Sequence, residues 1–391
     1  MNINRNYLEL QESYLFSTIA KKVSEFKANH PDKKVIRMGI GDVTLPLCKA
    51  VTDAMEKAVV EMGRKETFRG YGPEQGYGFL TSALSAYYQK RNVSLEEHEI
   101  FVSDGAKSDL GNILDIFSVD NTVLIPDPVY PVYVDTNIMA GRNIAYMDAT
   151  AENGFLPLPD ESVQADIIYL CSPNNPTGAV MGREDLLALA RVLEDTDVVV
   201  ISDEIYAELT YGADHVSIAS IPSMFDRTIV INGFSKAFAM TGWRLGYAIA
   251  HPALLGAMLK IHQFTMLCAN IMSQYAGVEA LRHGLDSGFA SVDAMRREYD
   301  RRRNYIVAGL NRMGLTCFEP RGAFYAFPSI QSTGMKSEEF CEKLLYAKQV
   351  AVVPGTAFGS FGEGFVRISY AASLENIKTA LGRIEEFIEG R

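Results

Sequence analysis

Residues Thr228–Tyr247 read TIVINGFSKAFAMTGWRLGY, and this stretch decides the fold. It opens on Thr228, Ile229, Val230 and Ile231, a β-branched run of the kind that forms a buried strand. Asn232 and Gly233 break the run, and Ser235 and Lys236 follow at once. A lysine just past the end of a buried strand is partly desolvated. That lowers its pKa and leaves a nucleophilic amine suited to condensing with an aldehyde. Arg244, eight positions later, offers the planar fork of donors that meets a phosphate. Alone, Lys236 reads more plainly as a solvated loop lysine. The surrounding chain decides between the two.

From Glu99 to Ala250 short apolar runs alternate with helical stretches, which predicts an α/β fold with a mostly parallel sheet covered on both faces. The runs are IFVS near 101, TVLIPD near 122, NIAYMD near 143, DIIYLC near 166, DVVVISD near 197, TIVING near 228 and GYAIA near 246. Upstream, a helix is expected near Tyr14 to Asn29, then a strand giving way to a loop at Gly39, Gly41 and Asp42, then a helix from Lys49 to Met62. The glycine pair is not a dinucleotide loop, because the third glycine is missing and no helix follows at the right spacing. In FRGYGPEQGYGFL a Gly-rich turn carries Pro73 where the next helix is expected to begin, with Leu80, Leu84 and Tyr88 as its apolar positions. Downstream, a long helical region from Pro252 to Arg312 ends in RREYDRRRN. The mixed charges of that string suggest a solvated helix face, not an RNA contact. Beyond Gly314 the pattern becomes α+β, with strand candidates at TCFEP, AFYAFPSI, VAVVPG and GFVRISYA and a last helix over Leu374 to Glu389.

The 391 residues, 48% of them apolar, allow a large core and two or three domain-sized units. A net charge of −11 without any basic run argues against a nucleic-acid partner, so anionic ligands must be met by locally placed Arg and Lys. Cys48, Cys171, Cys268, Cys317 and Cys341 are scattered, which points to neither a metal site nor disulfides but to reduced, mostly buried thiols. The opening MNINRNYLEL has no apolar signal region, and no apolar run is long enough to span a bilayer. A cytoplasmic protein with no membrane partner is expected.

The lysine segment resembles that of pyridoxal-phosphate (PLP) aminotransferases of fold type I, class I/II, and the resemblance extends over nearly the whole chain. It implies a large PLP-binding domain over 46–285 with a mostly parallel seven-stranded sheet. A smaller α+β domain would cover 286–391, with 1–45 as an N-terminal arm and part of that small domain. The cofactor's needs each find a candidate at a predicted strand end, where such sheets place their ligand crevice. Lys236 would carry the cofactor. Asp203, in DEIYAEL, would hold the pyridine nitrogen protonated; its plainer reading is a helix N-cap. Tyr206 and Asn175, the latter in SPNNPTG, would share the ring's 3-oxygen. In SDGAKSDLGN the N–H groups of Ala106 and Lys107 would face the phosphate at a helix start, with Ser235 and Arg244 completing the cradle and Tyr71 arriving from a second subunit. Gly233 stands where some relatives carry one more serine. Tyr130, in PDPVYPVY, would stack on the ring. Arg367 sits between Val366 and Ile368, where burial is costly unless it meets an anion. The resemblance makes it the clamp for the substrate α-carboxylate; a structural ion pair is the alternative. Asn270 would reach into the partner's site.

The segments NYLELQESYLFSTIA, RMGIGDVTLPL, FRGYGPEQGYGF and SDGAKSDLGN resemble LL-diaminopimelate aminotransferases, which move an amino group between glutamate and tetrahydrodipicolinate in lysine biosynthesis. GFSK and WRLGY instead resemble general class I enzymes. The expectation is a divergent diaminopimelate aminotransferase, homodimeric, acting on amino acids and 2-oxo acids. A broad-specificity aspartate, aromatic or alanine enzyme is the runner-up. Glu74 of the partner would accept the distal ammonium and Lys107 the distal carboxylate, with Tyr14 and the backbone at Gly41 closing the pocket. Alternatively, Glu74 is a first-turn acid favoured by a helix dipole. Two rivals stay open, a non-catalytic PLP-binding regulator and a PLP lyase acting at Cβ. The lack of an added DNA-binding module weighs against the first.

Overall fold

The apolar runs meet in one sheet, in a computed structural model that describes residues 3–10, 15–160 and 164–390. After a short β1 (Ile36–Arg37) come β2 (Ile100–Ser103), β3 (Thr122–Asp127), β4 (Asn143–Asp148), β5 (Ile167–Cys171), β6 (Val199–Asp203), β7 (Thr228–Gly233) and β8 (Gly246–Ile249). β2 to β8 lie in the order β2-β8-β7-β6-β5-β3-β4, and only β8 runs against its neighbours. Every residue of β2, β5, β7 and β8 is buried, which is why these strands read as unbroken apolar runs and not as alternating ones. β7 extends two residues past its β-branched run, because Asn232 and Gly233 still pair with Tyr247 and Gly246.

Successive side chains of β7 face opposite cores. Val230 joins Ile168 and Val200 under α2 (Lys49–Met62) and α3 (Gly78–Gln89), whereas Ile229 and Ile231 join Val123 and Ile201 under α4 (Ala106–Asn112) and α5 (Val132–Ala140). These helices follow α1 (Leu15–Asn29). α6 (Arg183–Val192) and α8 (Ile271–Ser287) share the first core, and α7 (Pro252–Thr265) the second. The pairing directions put the C-terminal ends of β2, β3, β5, β6 and β7 on one edge of the sheet.

A separate core lies around β9 (Tyr325–Ala326), β11 (Val353–Pro354) and β12 (Val366–Ser369), an antiparallel sheet in the order β11-β12-β9; β10 (Val350–Ala351) pairs with β1. It is filled by Ile306 and Leu310 of α9 (Ala290–Arg312), Phe340 and Leu344 of α10 (Ser337–Lys348), and Ile377 and Ile384 of α11 (Leu374–Ile388).

Five expectations need correction. TCFEP makes no strand, only an isolated bridge from Cys317 to Pro328. The helix after FRGYG starts at Gly78, not near Pro73, because Gly76 turns the chain at φ +108° against Val102; a Cβ there would lie 2.5 Å from that side chain. The long helical region is three helices, broken at Leu267 and at Gly288–Phe289 by left-handed backbone. RREYDRRRN is only half solvated, since Tyr299, Arg302 and Arg303 are buried and both arginines pair with Glu298, Asp300 or Glu319. Of the five free cysteines only Cys171 and Cys317 are buried. Among the described residues no helix is long and apolar enough to cross a membrane.

Candidate active site

β6 delivers Asp203, buried, to the sheet edge. Its Oδ2 accepts from the Tyr133 hydroxyl at 2.7 Å and its Oδ1 from the Ile205 N–H at 3.0 Å. No helix begins there, so the carboxylate closes a local turn and is not a helix cap. Burial pushes it up to about 6, against the pull of its two hydrogen bonds.

One strand over, β7 delivers Lys236 three residues past its end. The amine donates to the Gly41 carbonyl at 2.6 Å. Desolvation brings the lysine down to about 8; Arg367 and Arg244 push the same way, and Asp42 opposes them. Such an amine has a far larger neutral, nucleophilic fraction near neutral pH than an exposed lysine.

At the end of β2 the backbone narrows around Gly105, which has φ +129°. A Cβ there would lie 2.6 Å from Arg244 Nη2, and one on Gly246 would lie 2.8 Å from the Ala106 nitrogen. The two glycines therefore bring the guanidinium and the first N–H of α4 to one spot, where orphan donors and the helix dipole favour an anion. Behind them Asp109 is buried, holds the Ser103 hydroxyl, and is pushed up to about 8 by burial.

β12 supplies Arg367, 1% exposed. Its Nη1 donates to Asn175 Oδ1 at 2.7 Å and its Nη2 to the Gly39 carbonyl at 2.9 Å. The guanidinium lies 4.3 Å from the Tyr325 ring centre and 4.8 Å from that of Phe358. The Tyr325 and Tyr206 hydroxyls are 2.8 Å apart.

These groups line one cavity of about 530 Å³. Of the residues singled out from sequence, Gly41, Ala106, Lys107, Tyr130, Asn175, Asp203, Tyr206, Ser235, Lys236, Arg244 and Arg367 are on its wall. Tyr71, Glu74 and Asn270 are not. Tyr71 is 88% exposed, the Glu74 carboxylate accepts from Gln263, and Asn270 caps α8 through the Ser273 N–H at 3.0 Å. Glu74 lies in the turn four residues before α3, so it is not a first-turn acid. Tyr14 lies outside the described residues.

Residues 33–384 match the family described as Aminotransferase class I and II. The chain belongs to that family.

This aminotransferase is 41% identical over 362 residues to the putative aminotransferase YugH of Bacillus subtilis, spanning 90% of this chain and 92% of that one. It is 41% identical over 403 aligned positions to the LL-diaminopimelate aminotransferase of Lachnospira eligens, with 98% and 99% covered. Among solved structures, the aromatic aminotransferase of Pyrococcus horikoshii superposes with a TM-score of 0.86 at 37% identity, covering 94% of this chain and 99% of that one. Among the wall residues of the aminotransferase site that sequence reasoning missed are Arg37, Asp42, Tyr133 and Tyr325. Tyr133 had a signal, as the second tyrosine of PDPVYPVY three residues after Tyr130. Tyr325 had none, because its place depends on the pairing of β9 with β12.

Proposed function

We propose that this aminotransferase holds pyridoxal 5'-phosphate in the cavity and transfers the amino group of LL-diaminopimelate to 2-oxoglutarate. The observation that carries the substrate reading is that Lys107 shares one cavity with Arg367 and Lys236, so a substrate with two carboxylates finds a cation for each. The similarity to LL-diaminopimelate aminotransferases over nearly the full length supports it.

The residues present fit the cofactor. The Gly105–Gly246 approach leaves the Ala106 N–H and Arg244 to meet a phosphate, with Lys107 and Ser235 beside them on the wall. Asp203 would face the pyridine nitrogen, Asn175 and Tyr206 the 3-oxygen, and Tyr130 the ring face. When bound, the cofactor supplies an aldehyde and a ring that draws electrons from the substrate α-carbon. Arg367 binds the α-carboxylate as a bidentate fork. With the cofactor bound, the Lys236 amine would serve as the base that takes the proton from the substrate α-carbon, and Asp203 would hold the ring nitrogen protonated.

Of the two carboxylates on the cavity wall, Asp203 is assigned to the ring and Asp42 acts on Lys236, so we read the anion for the distal ammonium as coming from a second copy. Phe68, Tyr71 and Phe264 expose 63, 88 and 91% of their surfaces, and the Glu74–Gln263 bond joins the segments that carry them. A second copy covering this aromatic patch would bring Tyr71, Glu74 and Asn270 towards the opposite site, so we read the enzyme as a homodimer. The two cores are read as the large and small domains, 46–285 and 286–391, and the protein as cytoplasmic. A broad-specificity reading draws on the apolar wall formed by Ile19, Ala20, Val23 and Ile40. Comparing kcat/KM for LL-diaminopimelate with those for aspartate and aromatic amino acids, each with 2-oxoglutarate, tests the choice. Diaminopimelate should be preferred; a higher value for the others would favour broad specificity.

A further inference from the structure

Outside the cavity, a buried carboxylate at the end of β3 reaches into the segment after β11. Asp127 is 5% exposed. Its Oδ2 accepts from the Ser360 N–H at 2.9 Å and the Ser360 hydroxyl at 2.8 Å, and its Oδ1 from the Phe361 N–H at 3.2 Å. The short turn Ser360–Gly362 has no side-chain cap of its own, so Asp127 satisfies its leading N–H groups from across the fold. Two residues on, the Val129 N–H donates to the Phe358 carbonyl at 2.8 Å. Between these contacts Gly359 adopts φ +138°, and a Cβ on it would lie 1.9 Å from Asp127 Oδ1. Only glycine permits that approach.

We propose that Asp127 is a positioning residue for transamination, gripping the 358–361 segment so that Phe358 holds Arg367 in register with Asn175. The clamp is built from two sheets that share no strand: Arg367 comes from β12, and Asn175 from the loop after β5. The Arg367–Asn175 bond of 2.7 Å survives only if the two sheets keep their relative position. Phe358 touches both sides of that problem. Its carbonyl is tied to the segment after β3, and its ring centre lies 4.8 Å from the guanidinium. Tyr130, three residues after Asp127, is on the cavity wall, so the grip and the site share one short piece of chain.

The inference rests on the reading of Arg367 as the carboxylate clamp. Asp127→Asn keeps the size but turns an amide towards N–H donors, losing charge-assisted hydrogen bonds. In the holoenzyme it should raise KM for the amino donor about tenfold while kcat falls less than about threefold. Ser360→Ala, at an exposed residue, should raise KM about threefold and add little on top of Asp127→Asn, because both act through one contact. Cofactor affinity should stay unchanged in both. A merely structural Asp127 would lower Tm and kcat together and leave KM in place. That result, or fully additive effects of the two variants, overturns the proposal. Arg367→Lys separates the underlying reading. If Arg367→Lys raises KM and Asp127→Asn does not, the inference fails alone; if Arg367→Lys leaves KM unchanged, the clamp reading fails.

Discussion

The Tyr133 hydroxyl, on a helix covering one face of the main sheet, donates at 2.7 Å to Asp203, at the tip of a central strand. The bond fixes the carboxylate's orientation and offsets part of the burial that raises its pKa. Tyr133 is itself held by stacking on Tyr169, with ring centres 5.4 Å apart.

Asp203 should therefore leave a mark on the pH dependence of stability in the cofactor-free protein. Its ordinary value of 3.8 is raised to about 6 on folding. The folded state thus binds this proton more tightly than the unfolded chain. The associated stability is fully present below about pH 4 and is lost as pH rises through about 6, on the order of 3 kcal/mol in all. Urea denaturation of Asp203→Asn should show that part of the curve flattened. Tyr133→Phe, lacking the bond that favours the charged form, should move the loss to higher pH. A wild-type curve in Asp203→Asn would place the titration elsewhere.

Lys236 titrates with the opposite sign. Burial lowers its pKa to about 8, so its neutral amine is available more than two pH units below that of an exposed lysine. Uptake of the cofactor by the cofactor-free protein should rise through about pH 8 and level off above it. Borohydride treatment of the holoenzyme should then label the peptide containing Lys236, as read by mass spectrometry. Lys236→Ala should lose the label and all turnover while still binding the cofactor through its phosphate. Label on another lysine would remove Lys236 from the centre of the chemistry.

The main sheet was legible because its strands other than the edge strand β4 are almost wholly buried, so an unbroken run such as Ile229–Val230–Ile231 had one reading. The wall residues at strand ends were legible for the same reason. Asp203 and Lys236 stand at fixed distances past runs that could be located. What stayed hidden depends on contacts between distant pieces. Tyr325 reaches Tyr206 only because β9 pairs with β12, and Asp127 reaches Ser360 across 233 positions of sequence. TCFEP misled because β-prone composition does not supply a pairing partner. Glu74 and Asn270 do not line the cavity of their own chain.

That last point yields a test of assembly. A Lys236→Ala protein lacks its own amine but keeps Tyr71, and a Tyr71→Ala protein keeps the amine. If Tyr71 serves the opposite subunit, refolding the two together gives hybrids with one intact site, and an equal mixture should regain roughly a quarter of wild-type activity. No regain, or an active species that sediments as a monomer, would mean that each chain works with the residues on its own cavity wall.

On the proposed reading, Glu74 sets the substrate preference. Its carboxylate accepts from Gln263 beside the exposed Phe264, so it is already fixed on the aromatic patch that a second copy would cover. Presented to the neighbouring cavity, as proposed above, it would be the anion for the distal ammonium of diaminopimelate, with Lys107 for the distal carboxylate. Glu74→Gln keeps the size and the ability to pair with Gln263 but removes the charge. Loss of a charged hydrogen bond in a desolvated site costs about 2–4 kcal/mol, or roughly 30- to 1000-fold. kcat/KM for LL-diaminopimelate should fall by that order. The half-reaction with glutamate, which has no distal ammonium, should be nearly untouched, and stopped-flow measurement of the two half-reactions separates them. An equal loss on both would make Glu74 a support for the 68–74 turn and would remove the diaminopimelate reading's main specificity residue.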